Sequence, residues 1–158
     1  MQKVLQFPQR KQPVHMPPVE RHNQPIVLFV TLAIRPRIFA LANMAFHEAF
    51  LAASVEANAW RVSSCVIMPD HIHLFCTPHK WPPIGIKPWS QFLKRRISHH
   101  LGPHPSWQWL PGCWDTQMRD YAHYVEKRSY VRMNPVRAGL VATPEDWLWK
   151  DEFAPIVW

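Results

Sequence analysis

Apolar and polar positions along this chain switch between two periods, and the switch points divide it into elements. Ile26-Val27-Leu28-Phe29-Val30-Thr31-Leu32 is an apolar, β-branched run bounded by Pro25 and Pro36. Such a run predicts a central strand. Ala42, Phe46, Ala49, Phe50, Ala53 and Ala57 then recur every three or four residues, which predicts an amphipathic helix over about 41–57. Its small alanine face permits close packing on a sheet. Period two returns over 61–68, where Val62, Ser64, Val66 and Met68 share one face, and again over 71–77. Pro69-Asp70 between them is a turn signal, and two strands joined so tightly are antiparallel neighbours.

Pro78, Pro82, Pro83 and Pro88 make the next stretch a loop. Trp89, Phe92, Leu93, Ile97 and Leu101 mark a second helix over about 89–101. Gly102 to Gly112 reads as a Pro- and Trp-rich loop, and 113–118 as a last strand. Asp120 is placed to cap a third helix that runs to Met133 and is stopped by Pro135. A tail carrying Trp147, Trp149 and Trp158 follows, with the character of a packing segment.

The totals narrow the class. A chain of 158 residues, 47% of them hydrophobic, supports one folded domain with a real core. Residues 26–158 are assigned to that domain. Residues 1–25 carry Pro8, Pro13, Pro17, Pro18 and Pro25 among Lys3, Arg10, Lys11 and Arg21, and are expected to form a flexible, basic, Pro-rich arm. Lys plus Arg number 18 against 11 Asp plus Glu, a net charge of +7, which suggests a polyanionic partner, nucleic acid above all. Nine Trp and eight Phe add aromatic surface suited to stacking on unpaired bases, although most must be core. Cys65, Cys76 and Cys113 show no disulfide framework and no CxxC spacing. No apolar run is long enough for a signal or a membrane span, so a cytoplasmic protein without a membrane partner is expected.

Candidate chemistry concentrates in two places. Met68-Pro69-Asp70-His71-Ile72-His73-Leu74 sets two imidazoles two residues apart on a strand, so His71 and His73 share one face while Ile72, Leu74 and Cys76 take the other. Such a pair can hold a divalent metal and leave coordination positions free for a substrate. On the third helix Glu126, Tyr130 and Asn134 fall at i, i+4 and i+8, one face. A tyrosine there can serve as a nucleophile or simply as a half-buried helix aromatic. Lys87, Lys94, Arg95 and Arg96 form the densest basic cluster, either a solvated helix face or a phosphate contact.

The first motif, followed by Arg128-Ser129-Tyr130-Val131-Arg132-Met133-Asn134-Pro135-Val136-Arg137-Ala138-Gly139-Leu140-Val141, resembles the single-tyrosine HUH transposase superfamily. Within it the chain is similar to the REP-associated tyrosine transposases and their insertion-sequence relatives. Phe92-Leu93-Lys94-Arg95-Arg96 and Trp114-Asp115-Thr116-Gln117-Met118-Arg119 extend the likeness over about residues 26–150. The resemblance implies an α+β fold of ferredoxin-like, HUH-endonuclease type, an antiparallel sheet of about four or five strands with helices packed on it. It implies that His71, His73 and Asn134 ligate Mg²⁺ or Mn²⁺ and that Tyr130 is the nucleophile. Asp70 stands where asparagine is frequent in relatives. The implied activity is cleavage and rejoining of single-stranded DNA through a 5′-phosphotyrosine link, at hairpin-bearing repeats, by a monomer or homodimer. Lys87, Lys94, Arg95, Arg96, Arg132 and Arg137 would then be DNA contacts. Two other classes stay open. One is an inactive relative that only binds single-stranded or hairpin nucleic acid. The other is a zinc-stabilised domain, disfavoured because Cys76 points away from the histidines.

Overall fold

The structure, a computed structural model, describes residues 14–21 and 23–158. Residues 1–13 of the expected arm therefore lie outside the described residues. The expected α+β architecture is borne out. Its strands are β1 (Leu28–Arg35), β2 (Trp60–Ile67), β3 (His71–Pro78), β4 (Gln108–Trp109), β5 (Trp114–Gln117) and β6 (Lys150–Glu152). Its helices are α1 (Met44–Glu56), α2 (Ile86–Leu101), α3 (Tyr121–Arg132) and the single turn α4 (Asn134–Arg137).

All pairings are antiparallel, in the order β4-β1-β3-β2-β6, with β5 on the same side of β1 as β4. Among the described residues the sheet thus has six strands where about four or five are expected. The extra members, β4 and β6, are two and three residues long, too short to display a period of their own. Register is set at the Pro69-Asp70 turn, where Met68 N donates to His71 O at 2.8 Å and the hairpin then pairs Ile67 with Ile72. A bulge at Ser63 accommodates one extra residue of β2, and its hydroxyl donates to Phe75 O.

Two apolar layers cover the two faces. Leu28, Val30, Leu32, Ile34, Ile72, Leu74 and Cys76 point into the larger core, beneath α1 and α2. Phe46, Phe50 and Ala53 of α1 and Trp89, Leu93 and Ile97 of α2 fill it. Asn43 caps α1 by accepting from Phe46 N at 2.9 Å, and Asp120 caps α3 by accepting from His123 N at 2.8 Å. The other face carries a smaller cluster of Val27, Val66, Met68 and Phe75, covered by Val131 of α3 and by Trp147 from the tail. The tail is thus a packing segment, as its tryptophans suggest. Trp147 Nε1 also donates to Ile67 O at 3.0 Å.

Residues 15–21 run beside β5. Val19 N donates to Gln117 Oε1 at 2.8 Å, Gln117 Nε2 donates to Val19 O at 2.7 Å, and Arg21 donates to the carbonyls of Met118 and Arg119.

Trp89 is fully enclosed, and its indole N–H reaches Ala57 O at 2.7 Å, joining α2 to the end of α1. Trp89→Ala should cost about 3–5 kcal/mol in chemical denaturation, from the cavity and the orphaned carbonyl. Phe39→Ala, at a side chain 67% exposed, should stay within about 0.5 kcal/mol.

Candidate active site

Strand β3 lies between β1 and β2, so its side chains are held from both edges. Register sets His73 against Thr31 on one side and Val66 on the other, and His71 against Ala33. Both histidines project to the face covered by α3, opposite the α1–α2 core. His71 Nδ1–H donates to Asp70 Oδ1 at 2.6 Å, and Arg37 reaches the second carboxylate oxygen at 3.4 Å. This leaves His71 Nε2 aimed at His73 Nε2, 3.1 Å away. His73 Nδ1 sits 3.0 Å from the Thr31 hydroxyl, and Phe29 stacks on the His73 ring at 5.2 Å.

Two bonds of about 2.1 Å meeting at a right angle separate their donor atoms by about 3.0 Å. The two Nε2 atoms therefore already stand at the spacing of adjacent ligands on one cation. Each ring also has its other nitrogen engaged, by a carboxylate for His71 and a hydroxyl for His73, the outer shell that orients metal-binding imidazoles. Thr31 suits this task because a hydroxyl can accept from Nδ1–H or donate to Nδ1. Without a cation, His73 Nε2–H can donate to His71 Nε2 and Thr31 donates to Nδ1. With one, Nδ1–H donates to Thr31 and both Nε2 lone pairs are free.

Helix α3 lies on the same face. Its Tyr124 meets Phe75 edge-on at 5.3 Å, and Val131 is buried in the smaller cluster. Lys127 Nζ sits 5.4 Å from the Phe29 ring and 5.7 Å from the Tyr130 ring, bridging the aromatic floor beside His73 to the tyrosine. Tyr130 is itself 58% exposed, with the Arg137 guanidinium 3.7 Å from its ring centre. A cavity of about 260 Å³ opens between His73, Phe75 and Val66 on the sheet and Arg128, Val131 and Arg132 on the helix. Burial holds the His73 pKa down to about 3, assisted by the charges of His71, Lys127 and Arg137, so His73 is a neutral donor.

Other expected site residues fall differently. The Asn134 carboxamide oxygen accepts from Arg137, so a cation would have to displace that guanidinium to use it. Arg132 pairs with Glu145 at 2.6 Å. Lys87, Arg95 and Arg96 lie on α2, across the sheet from the histidines, and Arg96 is tied to Glu56. Lys94 is corrected outright. It is buried, with its ammonium donating to Leu110 O at 2.9 Å and Gly112 O at 2.7 Å, so it satisfies loop carbonyls and meets no phosphate. Thr31, Phe29 and Lys127 also stand at this face, outside the two motifs. Lys127 stands three residues before Tyr130, but its approach to Phe29 depends on how α3 docks, which local pattern does not encode.

No protein-family model matches the chain. It is 32% identical over 95 residues to a REP-associated tyrosine transposase of Escherichia coli (strain K12), covering 58% of this chain and 51% of that protein. The chain thus spans about half the length of the curated relative it matches. In fold it is similar to a solved REP-associated tyrosine transposase bound to a REP hairpin. The TM-score is 0.66 at 22% identity, over 85% of this chain and 82% of the other. The sequence match is a similarity over part of each chain, and the structural match is a likeness of fold.

The low His73 pKa has a stability consequence. The unfolded chain protonates this imidazole below its ordinary value of about 6.5, whereas the folded chain does not until about 3. The unfolded state binds more protons in between, so His73 contributes stability above about 6.5 that is lost as pH falls towards 3. In acid titration of wild type against His73→Gln, the wild type should lose more stability across that window. NMR should show no His73 titration above about pH 4.

Proposed function

We propose that this chain, a relative of the REP-associated tyrosine transposases by sequence and fold, cleaves and rejoins single-stranded DNA at hairpin-bearing sites, with Tyr130 as nucleophile and His71 and His73 as cation ligands. The observation that carries the reading is the convergence of His71 Nε2 and His73 Nε2 at 3.1 Å on the sheet face that α3 covers. A divalent cation held there, Mg²⁺ or Mn²⁺, would polarise the non-bridging oxygens of a phosphodiester and offset charge in the transition state.

The chain's own residues do the rest. Tyr130 Oη attacks phosphorus, forming a 5′-phosphotyrosine bond while the P–O3′ bond breaks and leaves a 3′-hydroxyl. The phosphotyrosine conserves the bond energy, so another 3′-hydroxyl can reverse the step without ATP. Asp70 and Thr31 hold the imidazoles in their donating orientation. Lys127 and Arg137, both near the Tyr130 ring, supply positive charge for the phosphate. Arg132 lines the cavity beside His73 and is a candidate contact for flanking backbone. The exposed Lys87 and Arg95 suit a longer DNA path over the opposite face. Asn134 joins the ligand set on this reading only if substrate phosphate draws Arg137 away from its carboxamide.

That pairing favours a second reading, a relative that binds hairpin DNA without cutting it. Incubation with labelled hairpin-flanked single strands and Mn²⁺, followed by a denaturing gel, separates the two. Wild type should form a covalent band that Tyr130→Phe abolishes and that His71→Ala and His73→Ala reduce at least about a hundredfold. Binding with no band on cleavable DNA sinks the strand-transfer reading. Thr31→Val should raise the Mn²⁺ concentration needed for half-maximal adduct about 10–100-fold, while Thr31→Ser stays near wild type.

A further inference from the structure

A separate cluster of metal-ligating groups lies on the opposite side of the sheet, at its β5 edge. We propose that His15, Cys113 and Asp115 form a zinc-binding clip that fastens the segment preceding β1 to that edge. One donor atom from each side chain, an imidazole nitrogen, Cys113 Sγ and a carboxylate oxygen, lies within 4.8 Å of the others. They come from chain segments about a hundred residues apart, yet the backbone already delivers them to one place. Gln117 binds both polar groups of Val19, and Arg21 binds the carbonyls that end β5, so His15 arrives beside Asp115 on a docked segment.

The environment favours a cation. Asp115 pairs with Val30 in the sheet, so its side chain turns to the α1–α2 face, where it is 6% exposed and hydrogen-bonded by His15. Cys113 beside it is fully buried. A buried carboxylate is retained where a charge partner meets it, and His15 meets Asp115, while the Cys113 sulfur lies beside them in the cluster under α1 and α2. Zinc would join all three. A thiolate and a carboxylate neutralise Zn²⁺, an imidazole completes three protein ligands, and His15, 19% exposed, leaves a fourth position open to water. Thiolate together with imidazole selects zinc over magnesium or calcium. The neutral complex is compatible with the Lys94 ammonium close by, itself held by two carbonyls. The His71–His73 pair faces the other way through the sheet, so the two sites are independent.

Cobalt substitution tests this. The metal-stripped full chain is titrated with Co²⁺, and the near-ultraviolet thiolate-to-cobalt charge-transfer band is recorded. One equivalent should produce the band in wild type and in the His71→Ala/His73→Ala double variant alike. Cys113→Ser should abolish it, and His15→Ala, a gentler change at a part-exposed residue, should weaken Co²⁺ and Zn²⁺ binding at least about tenfold with unchanged circular dichroism. Absence of the band in wild type overturns the proposal. So does its persistence in Cys113→Ser, its loss in the double variant, or undiminished binding in His15→Ala.

Discussion

Everything at the candidate active site depends on the alternation of β3 within a sheet covered on both faces. Ile72, Leu74 and Cys76 are each fully buried against α1 and α2, so the intervening His71 and His73 have no choice of side. A slip of one residue would drive both imidazoles into the apolar core and expose three core side chains. The hydrophobic layer beneath α1 and α2 thus sets the chemistry above it. The Pro69-Asp70 turn sets it twice, fixing the hairpin register and supplying the carboxylate that orients His71.

Much of this was legible in the sequence because its signals are local. The apolar period of α1, the alternation along β3 and the Asp120 cap each lie within one element, whereas the Ser63 bulge puts Val62 on the α1–α2 face, opposite Val66 and Met68, where strict alternation would have kept all three together. The face shared by His71 and His73 follows from their spacing alone. What stayed hidden depends on pairings between distant segments. Thr31 becomes a partner of His73 only through the β1–β3 register. Lys94 looks like any basic residue of a charged helix face until the loop over 110–112 presents two carbonyls to it. His15 sits in a proline-rich stretch whose composition says nothing of Asp115.

The distribution of positive charge divides the molecule's basic groups by task. On α2, the run Lys94-Arg95-Arg96 splits three ways: one residue inside the protein, one exposed, one paired with Glu56. A run of like charges in sequence therefore does not make a patch in space. On the histidine face, Lys127 of α3 and Arg137 of α4 come from separate elements, and both bear on the same tyrosine ring. Their proximity also helps keep His73 neutral, which a cation ligand requires.

The tyrosine helix is held differently from the histidines. Of α3 only Val131 is buried; Tyr124 adds aromatic contacts with Phe75 and Trp158, and Arg128 and Arg132 form exposed pairs with Glu152 and Glu145. The histidines sit on a strand paired on both edges, whereas Tyr130 rides a helix attached through a few side chains and the tail. Few buried contacts mean a lower free energy for local displacement than in the central sheet. If Tyr130 is the nucleophile proposed, which must approach phosphorus, hold it covalently and then let another strand reverse the bond, it would gain from such a mount. The proposed cation ligands would need the opposite, an immobile frame. On the proposed function, a central strand for the imidazoles and a lightly docked helix for the phenol would divide rigidity as strand transfer needs, and Arg137, which donates to the Tyr130 carbonyl and lies over its ring, ties α4 to the end of α3.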